Sequence, residues 1–471
     1  MKNLTLENIV SACNGQYVGD DELKNMEIQG AVTDSRQVQQ GYLFIPVKGE
    51  RVDGHDFIPS VFEKGALATL SEKPLENCPG PYILVESCLT ALKQIAAYYR
   101  SRLTIPIVGI TGSVGKTSTK EMIASVLSTR YHVLKTAGNL NNEIGLPLTI
   151  LRIQEEHEAA VVEMGISEFG EMHRLAEIAK PDVCVITNIG ICHLENLGDR
   201  DGVLRAKTEV FDHIKKGAAV ILNGDDDKLI TVKEAGGNIP VFYGMGASSE
   251  NSHVIKQLSR REAHFDIYMD AVENLGLRGS RACLHTPQGS ISVEVPIPGE
   301  HQLYNAMAAA GAGLALGLTL EEIKKGMAAA KTIAGRSNLM ESKGMLIIDD
   351  CYNANPVSMK AAIDLLKHGL ERTIAVLGDM GELGENEKQL HYEVGAYAAR
   401  AGVDVLFCVG PLSKEMERGA KDAGGNTRVF YYSTKEEMLP QLLDMVEEGD
   451  TILVKASHFM DFPKVVERIV Q

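Results

Sequence analysis

The sequence predicts an α/β protein of three domains. Strand-like apolar runs alternate with helical stretches from Ile105 to about residue 331, and the alternation restarts from about residue 332. That pattern marks parallel sheets covered by helices. The 471 residues also exceed what one ordinary core organises. The expected division is a mixed α/β domain over 1–103, a central P-loop domain with a parallel sheet over 104–331, and a Rossmann-like domain over 332–471.

In the first domain, Gly41–Val47 and Tyr82–Val85 are short apolar runs between turns. In the second, Pro106–Ile110, Ala159–Glu163, Val183–Thr187 and Ala218–Leu222 read as strands. Asp201–Ile214 reads as a helix, and Ala306–Leu316 as an alanine-rich one. In the third, Met345–Ile348, Thr373–Leu377, Val405–Val409 and Thr451–Val454 give the strands of a second doubly wound sheet.

Composition narrows the class. A hydrophobic fraction of 44% and a charged fraction of 23% fit a globular enzyme. No apolar run approaches the roughly 18–20 residues of a membrane span. Met1–Asn14 has neither a basic start nor a long apolar block, so no signal peptide is expected and the cytoplasm is the expected location. A monomer is expected. The net charge of −16 argues against a nucleic-acid partner. The eight cysteines contain no C-x-x-C pair and read as free, mostly buried thiols.

The sharpest local signal is Ile107-Val-Gly-Ile-Thr-Gly-Ser-Val-Gly-Lys-Thr117. An apolar strand enters a glycine loop, and Lys116, Thr117 and Ser118 open a helix whose apolar face is Met122, Ile123, Val126 and Leu127. Gly112, Ser113 and Gly115 bring backbone N–H groups to phosphate oxygens. Lys116 reaches terminal phosphates, and the Thr117 hydroxyl ligates Mg²⁺. ATP with Mg²⁺ is therefore the expected cofactor pair. The spacing departs from G-x-x-x-x-G-K-[ST], because Ile110 stands where the first glycine belongs.

Three residues extend this site. Glu163 ends a strand, where α/β sheets gather ligands, and suits Mg²⁺. His193 lies in the loop after the next strand. Lys207 falls within the apolar face of its helix, between Val203 and Phe211. Such a lysine either snorkels to water or is desolvated with a lowered pKa. A neutral amine there can take up CO₂ as a carbamate.

The form T-G-x-x-G-K-T resembles the Mur ligases, the amide-forming enzymes of bacterial cell-wall precursor synthesis, and their folylpolyglutamate synthetase relatives. That resemblance implies metal-serving roles for Glu163, His193 and a carbamylated Lys207. Pro298-Gly-Glu-His-Gln-Leu-Tyr-Asn-Ala306 resembles the family's G-x-H-N-x-x-N-A motif, which assigns adenine contact to Asn305, with Gln302 where Asn is usual. Ala334-Gly-Arg336 resembles its G-R element, whose arginine touches phosphates, and Asp350 matches its nucleotide-contacting acid. Leu453-Val-Lys-Ala-Ser-His-Phe459 resembles V-K-G-S-R, with Lys455 in the matching place.

Asp349-Asp-Cys-Tyr-Asn-Ala-Asn-Pro356, Leu377–Glu385 with His391, and Asn139–Pro147 resemble one branch of the family. That branch implies UDP-N-acetylmuramoyl-tripeptide and D-Ala-D-Ala as small-molecule substrates. The substrate contacts it implies are Asn139, Asn142, Tyr352, Asn353 and Asn355. Ser35 and Arg36, with the loop Lys48–His55, resemble the family's UDP-binding segments. Two rivals stand beside this: an amide ligase of the same superfamily acting on a folate or another peptide, and a P-loop regulator that binds ATP without ligation. The second leaves Arg336, Asp350 and the whole third domain without a task.

Overall fold

The computed structural model describes residues 1–49, 52–245, 265–369 and 371–471. Three sheets organise it. The first has five strands: β1 (Gln16–Val18), β2 (Gly30–Val32), β3 (Tyr42–Phe44), β4 (Ala68–Ser71) and β5 (Tyr82–Leu84), in the order β1-β5-β4-β3-β2. Only β1 runs antiparallel to its neighbour. A helix over Cys88–Arg102 leaves this sheet and fastens it to the next domain. Its Tyr99 hydroxyl donates to Ile153 O at 2.7 Å, and buried Arg100 pairs with Asp182 at 2.8 Å. The apolar residues of this helix share one core with the central sheet.

The second sheet has nine strands: β6 (Ile107–Thr111), β7 (Val133–Lys135), β8 (Ala159–Glu163), β9 (Val183–Ile186), β10 (Ala219–Asn223), β11 (Val241–Met245), β12 (Ile267–Asn274), β13 (Ser280–Thr286) and β14 (Gly289–Val295). Their order is β14-β13-β12-β11-β10-β9-β6-β8-β7. From β7 to β12 all pairs are parallel, and the central strands β6, β8 and β9 are buried on both faces, which is why they read as continuous apolar runs. The chain steps from β6 outward to β7, returns through β8, and crosses β6 to reach β9. That reversal places a crevice at the carboxyl ends of β6, β8 and β9.

The central sheet is mixed rather than wholly parallel, since β13 and β14 add an antiparallel extension. Their alternation of polar and buried residues suits a sheet wet on one face.

Helix α1 (Lys116–Leu127) follows β6, and α2 (Arg200–Thr208) lies between β9 and β10. The helix predicted over Asp201–Ile214 changes at Glu209 into a 3₁₀ turn that runs to His213. The alanine-rich helix α3 spans His301–Ala315, so it begins five residues before its predicted start and carries Asn305 inside it. Its small residues allow close packing: a Cβ on Gly313 would already touch Val126 of α1 at 3.2 Å.

The third sheet has six strands: β15 (Asn338–Ser342), β16 (Met345–Asp349), β17 (Thr373–Gly378), β18 (Val405–Val409), β19 (Arg428–Tyr432) and β20 (Thr451–Lys455). Their order is β15-β16-β20-β17-β18-β19, parallel except for β15. Helix α4 (Pro356–Leu366) leaves the polar loop after β16. Among the described residues, no helix is long and apolar enough to cross a membrane.

Candidate active site

The glycine loop sits at the carboxyl end of β6 and is held from below by the end of β9. The Thr187 hydroxyl donates to Val114 O at 2.6 Å, and Val114 N donates to the Asn188 side chain at 2.9 Å. Ser113 N donates to Asn188 O, and the Ser113 hydroxyl accepts from Gly190 N at 2.9 Å. Gly112 is required by two facts. Its φ is +148°, and an added Cβ would lie 2.0 Å from Thr187 Oγ1. Gly112→Ala is therefore expected to cost about 1–3 kcal/mol. An unchanged denaturant midpoint would contradict this.

Gly115 has φ +84° and starts α1, which leaves that helix's first N–H groups open to an anion. The Lys116 ammonium donates to Gly112 O at 2.8 Å and to Ser113 O at 3.4 Å, and so lies across the loop. Desolvation lowers its pKa, with Glu163 and Cys192 opposing and Arg336 adding to the shift. Ser118 is half-buried on the same turn.

The carboxylate of Glu163, buried at the end of β8, meets the Thr117 hydroxyl at 3.1 and 3.3 Å. Asn141 also donates to Glu163 Oε1 at 2.9 Å. Lys120 is 2% exposed, donates to Thr136 O at 2.8 Å, and lies 4.0 Å from Glu163. Neither Asn141 nor Lys120 was among the residues read from sequence. The signal for Lys120 was present, since it lies one helical turn beyond Lys116 on the same face.

Lys207 is 1% exposed and makes no hydrogen bond or ion pair among the described residues, so it does not snorkel. Burial first, and the Lys116 charge second, pull its pKa down to about 7. His193 has φ +50° and a pKa lowered by burial, with Lys207 and Lys116 among the charges acting on it. Its Nδ1 lies 3.2 Å from the carboxylate of Glu382, which belongs to the third domain.

Glu382 comes from the Leu377–Glu385 segment, and the structure shows what that segment does. Asp379 accepts from Ser413 N at 2.7 Å, His391 Nε2 accepts from Met380 N at 2.9 Å, and Ser457 Oγ accepts from Gly381 N at 2.9 Å. The loop so fixed holds Glu382 at φ +59° and aims it at the central domain.

The third domain supplies the opposite wall. Asp349 accepts from Gly335 N at 2.7 Å, and Asp350 from Ser337 N at 2.9 Å. Together they pin the segment that carries Arg336. The Arg336 guanidinium lies 4.1 Å over the Tyr352 ring, and its buried Nε has no partner among the described residues. Lys455 is ion-paired with Asp350 at 2.6 Å and donates to Asn353 O at 3.0 Å.

Asn305 accepts from the Thr119 hydroxyl at 2.7 Å and donates to Gln302 at 2.8 Å. Gln302 thus orients the Asn305 amide.

Several of the other expected contact residues make local hydrogen bonds. Asn355 caps α4 by accepting from Ser358 N, Asn142 accepts from Gly145 N at 2.8 Å, and Asn353 accepts from Ala354 N. Asn139 is exposed. Arg36 forms a two-pronged pair with Asp34, whose pKa falls to about 2, and Ser35 O accepts from Lys64. No described hydrogen bond or ion pair joins Ser35 or Arg36 to the glycine loop. Within Lys48–His55, Glu50 and Arg51 lie outside the described residues.

Against this geometry, three family models match in chain order: Mur ligase family, catalytic domain (residues 27–100), Mur ligase middle domain (110–313) and Mur ligase, glutamate ligase domain (335–458). A UDP-N-acetylmuramoyl-tripeptide--D-alanyl-D-alanine ligase of Bacillus subtilis (strain 168) is 38% identical, covering 99% of this chain and 98% of its own. The chain belongs to the Mur ligase family.

Solved Mur ligases share its fold. MurF from Acinetobacter baumannii superposes with a TM-score of 0.87 at 33% identity, over 99% of this chain and 98% of that one. MurF ligase from Thermotoga maritima, solved in complex with ADP, gives 0.78 at 31% identity over 93% and 96%.

Proposed function

We propose that this chain is a cytoplasmic ATP-dependent amide ligase that adds D-Ala-D-Ala to UDP-N-acetylmuramoyl-tripeptide through an acyl phosphate. The full-length likeness to ligases of that name supports the substrate pair. The observation that carries the chemistry is a group of three cations, Lys116 with Lys207 and Arg336 within electrostatic reach of it, where Lys116 also feels the Glu163 carboxylate that the Thr117 hydroxyl meets at 3.1 Å. In a chain of net charge −16, this local cationic concentration suits a polyphosphate meeting a carboxylate.

ATP lies on the glycine loop, with Lys116 on its terminal phosphates, Arg336 opposite, and Asn305 and Asp350 toward the nucleoside. The Asp350–Lys455 pair must then share Asp350 with the ribose, or hold Lys455 for a phosphate. Thr117 and Glu163 present oxygen donors about one hydrogen-bond length apart, with Asn141 behind them, and such a set fits Mg²⁺. Bound there, Mg²⁺ supplies neutralisation between two anions.

The tripeptide carboxylate attacks the γ-phosphorus. A C–O–P bond forms, the bond to the β–γ bridging oxygen breaks, and ADP leaves. In-line transfer of this kind rests on positioning and charge. The dipeptide amine then attacks the acyl carbon, loses a proton, and expels phosphate.

Lys207 is poised to carry a carbamate: its neutral nitrogen bonds to CO₂ carbon and one amine proton leaves to solvent. Its side chain then becomes an anionic ligand beside His193. Tyr352, Asn353 and Asn355 frame the third-domain side, where the acceptor enters.

Glu382 orders His193 from across the crevice, so its contact forms only when the two domains are together. An exposed pair of this kind is worth at most ~1 kcal/mol, or about fivefold. Glu382→Ala is expected to lower kcat by up to about that factor while leaving KM for ATP unchanged. Glu382→Gln, which keeps an acceptor for His193, is expected to restore most of it. A raised KM for ATP, or equal losses in both variants, would count against this role.

The function itself is tested by phosphate release from ATP with the UDP-linked tripeptide, with and without D-Ala-D-Ala, followed by product mass. Release that needs both, with a product heavier by the dipeptide less water, is expected. No release with that pair would remove the substrate assignment.

A further inference from the structure

Three side chains that the ligase chemistry leaves unused meet on the β12–β13 pair. Asp270 and Cys283 are directly opposed in register, and Tyr268 opposes His285 two residues along. Side chains alternate across a strand, so all four share one face, while Met269, Ala282 and Leu284 enter the core on the other. One ligand atom each from Asp270, Cys283 and His285 lies within 4.8 Å of the other two. All three residues are half-buried, which sets Cys283 apart from the fully buried Cys184 and Cys408.

The imidazole of His285 is fixed on three sides. Its Nε2 lies 2.8 Å from Asp270 Oδ1, its Nδ1 2.7 Å from Ser290 Oγ on β14, and its ring stacks on Tyr268 with centroids 4.4 Å apart. The backbone is also shaped here. The register shifts between Asp270 and Glu273, and Ala271 takes φ +48°. The left-handed region costs an alanine roughly 1–2 kcal/mol. Bulges of this kind re-aim neighbouring side chains, and this one begins next to Asp270.

We propose that Asp270, Cys283 and His285 form a site for a soft divalent cation such as Zn²⁺, with water as the fourth ligand. Thiolate sulfur, imidazole nitrogen and carboxylate oxygen are the donor types zinc takes in tetrahedral sites. Ser290 on Nδ1 leaves Nε2 as the ligating nitrogen, the outer contact that such sites use to orient a histidine. On binding, the Cys283 thiol proton passes to solvent, the imidazole gives up its Nε2 proton to solvent and takes one on Nδ1 that it donates to Ser290, and the Asp270–His285 contact opens enough to admit bonds of about 2 Å. The oxygen donors at Thr117 and Glu163 favour a hard cation, so the two sites are chemically separable. Leu277, in the turn between β12 and β13, packs on the core of the third domain. The bound ion would clamp the strand pair that supports this contact.

The test uses the metal-free full chain in saturating Mg²⁺, titrated with Co²⁺ and then Zn²⁺. Expected is a thiolate-to-cobalt charge-transfer absorption of one equivalent, erased by Zn²⁺. It should be absent in Cys283→Ser and weaker by about tenfold in affinity for Ser290→Ala, which touches only the ligand histidine. Zn²⁺ should also raise the melting temperature of the parent protein and not that of Cys283→Ser, whose metal-free melting matches the parent. No such absorption, or the same absorption in Cys283→Ser, overturns the site.

Discussion

Lys207→Ala is expected to lose at least about 100-fold in turnover, with no recovery in added bicarbonate, because charge placed against a transferring phosphoryl group is worth that much or more. Full activity in this variant would end the carbamate role. A companion effect separates function from folding. In the folded chain the Lys207 amine gives up its proton near pH 7, whereas the ordinary value is 10.5. Between those limits the unfolded chain binds more protons, so stability contributed by this group rises with pH across that window. Below it, the buried ammonium is a full cost. Lys207→Met, tested at about pH 6, is therefore expected to melt higher than the parent while being inactive. A lower melting temperature at that pH would mean that Lys207 has a partner in the folded state that offsets its burial.

Lys116→Ala is expected to fail at a different step. Its ammonium bridges the loop carbonyls of Gly112 and Ser113, and in the proposed complex it turns to the terminal phosphates. Loss of one such contact in a water-poor crevice costs about 10²–10³-fold in turnover. Nucleotide affinity should fall with it, as read by calorimetry with ADP. Lys207→Ala should instead bind ADP nearly as the parent does. Equal weakening of ADP binding in both variants would merge the two roles and contradict the assignment.

What could be read from sequence follows the range of the forces involved. The glycine loop was legible because its chemistry is local: strand, glycines, lysine and hydroxyl within a few residues. Lys207 was legible as a problem, since a helical period placed a cation on an apolar face, and the structure resolves it as burial. Choosing among Asn139, Asn141 and Asn142 was beyond sequence. All three offer the same amide, and the turn before Gly145 decides that Asn142 accepts from the Gly145 N–H while Asn141 reaches Glu163.

Asn355 was read as a substrate contact, and in the structure its side chain caps a helix. Glu382 was quoted within a motif but not singled out, because its partner His193 lies in another domain and no local pattern announces the contact. The antiparallel β13–β14 extension escaped for a related reason. Its half-wet strands give a weak alternating signal beside the strong apolar runs of the parallel core.

In the proposed mechanism the carboxylate is activated as an acyl phosphate before the amide forms. The direct measurement is isotope transfer: UDP-N-acetylmuramoyl-tripeptide labelled with oxygen-18 in its terminal carboxylate is turned over with ATP and D-Ala-D-Ala, and the released phosphate is weighed. One heavy oxygen is expected to pass from carboxylate to phosphate in each turnover. Amide product accompanied by unlabelled phosphate would contradict it.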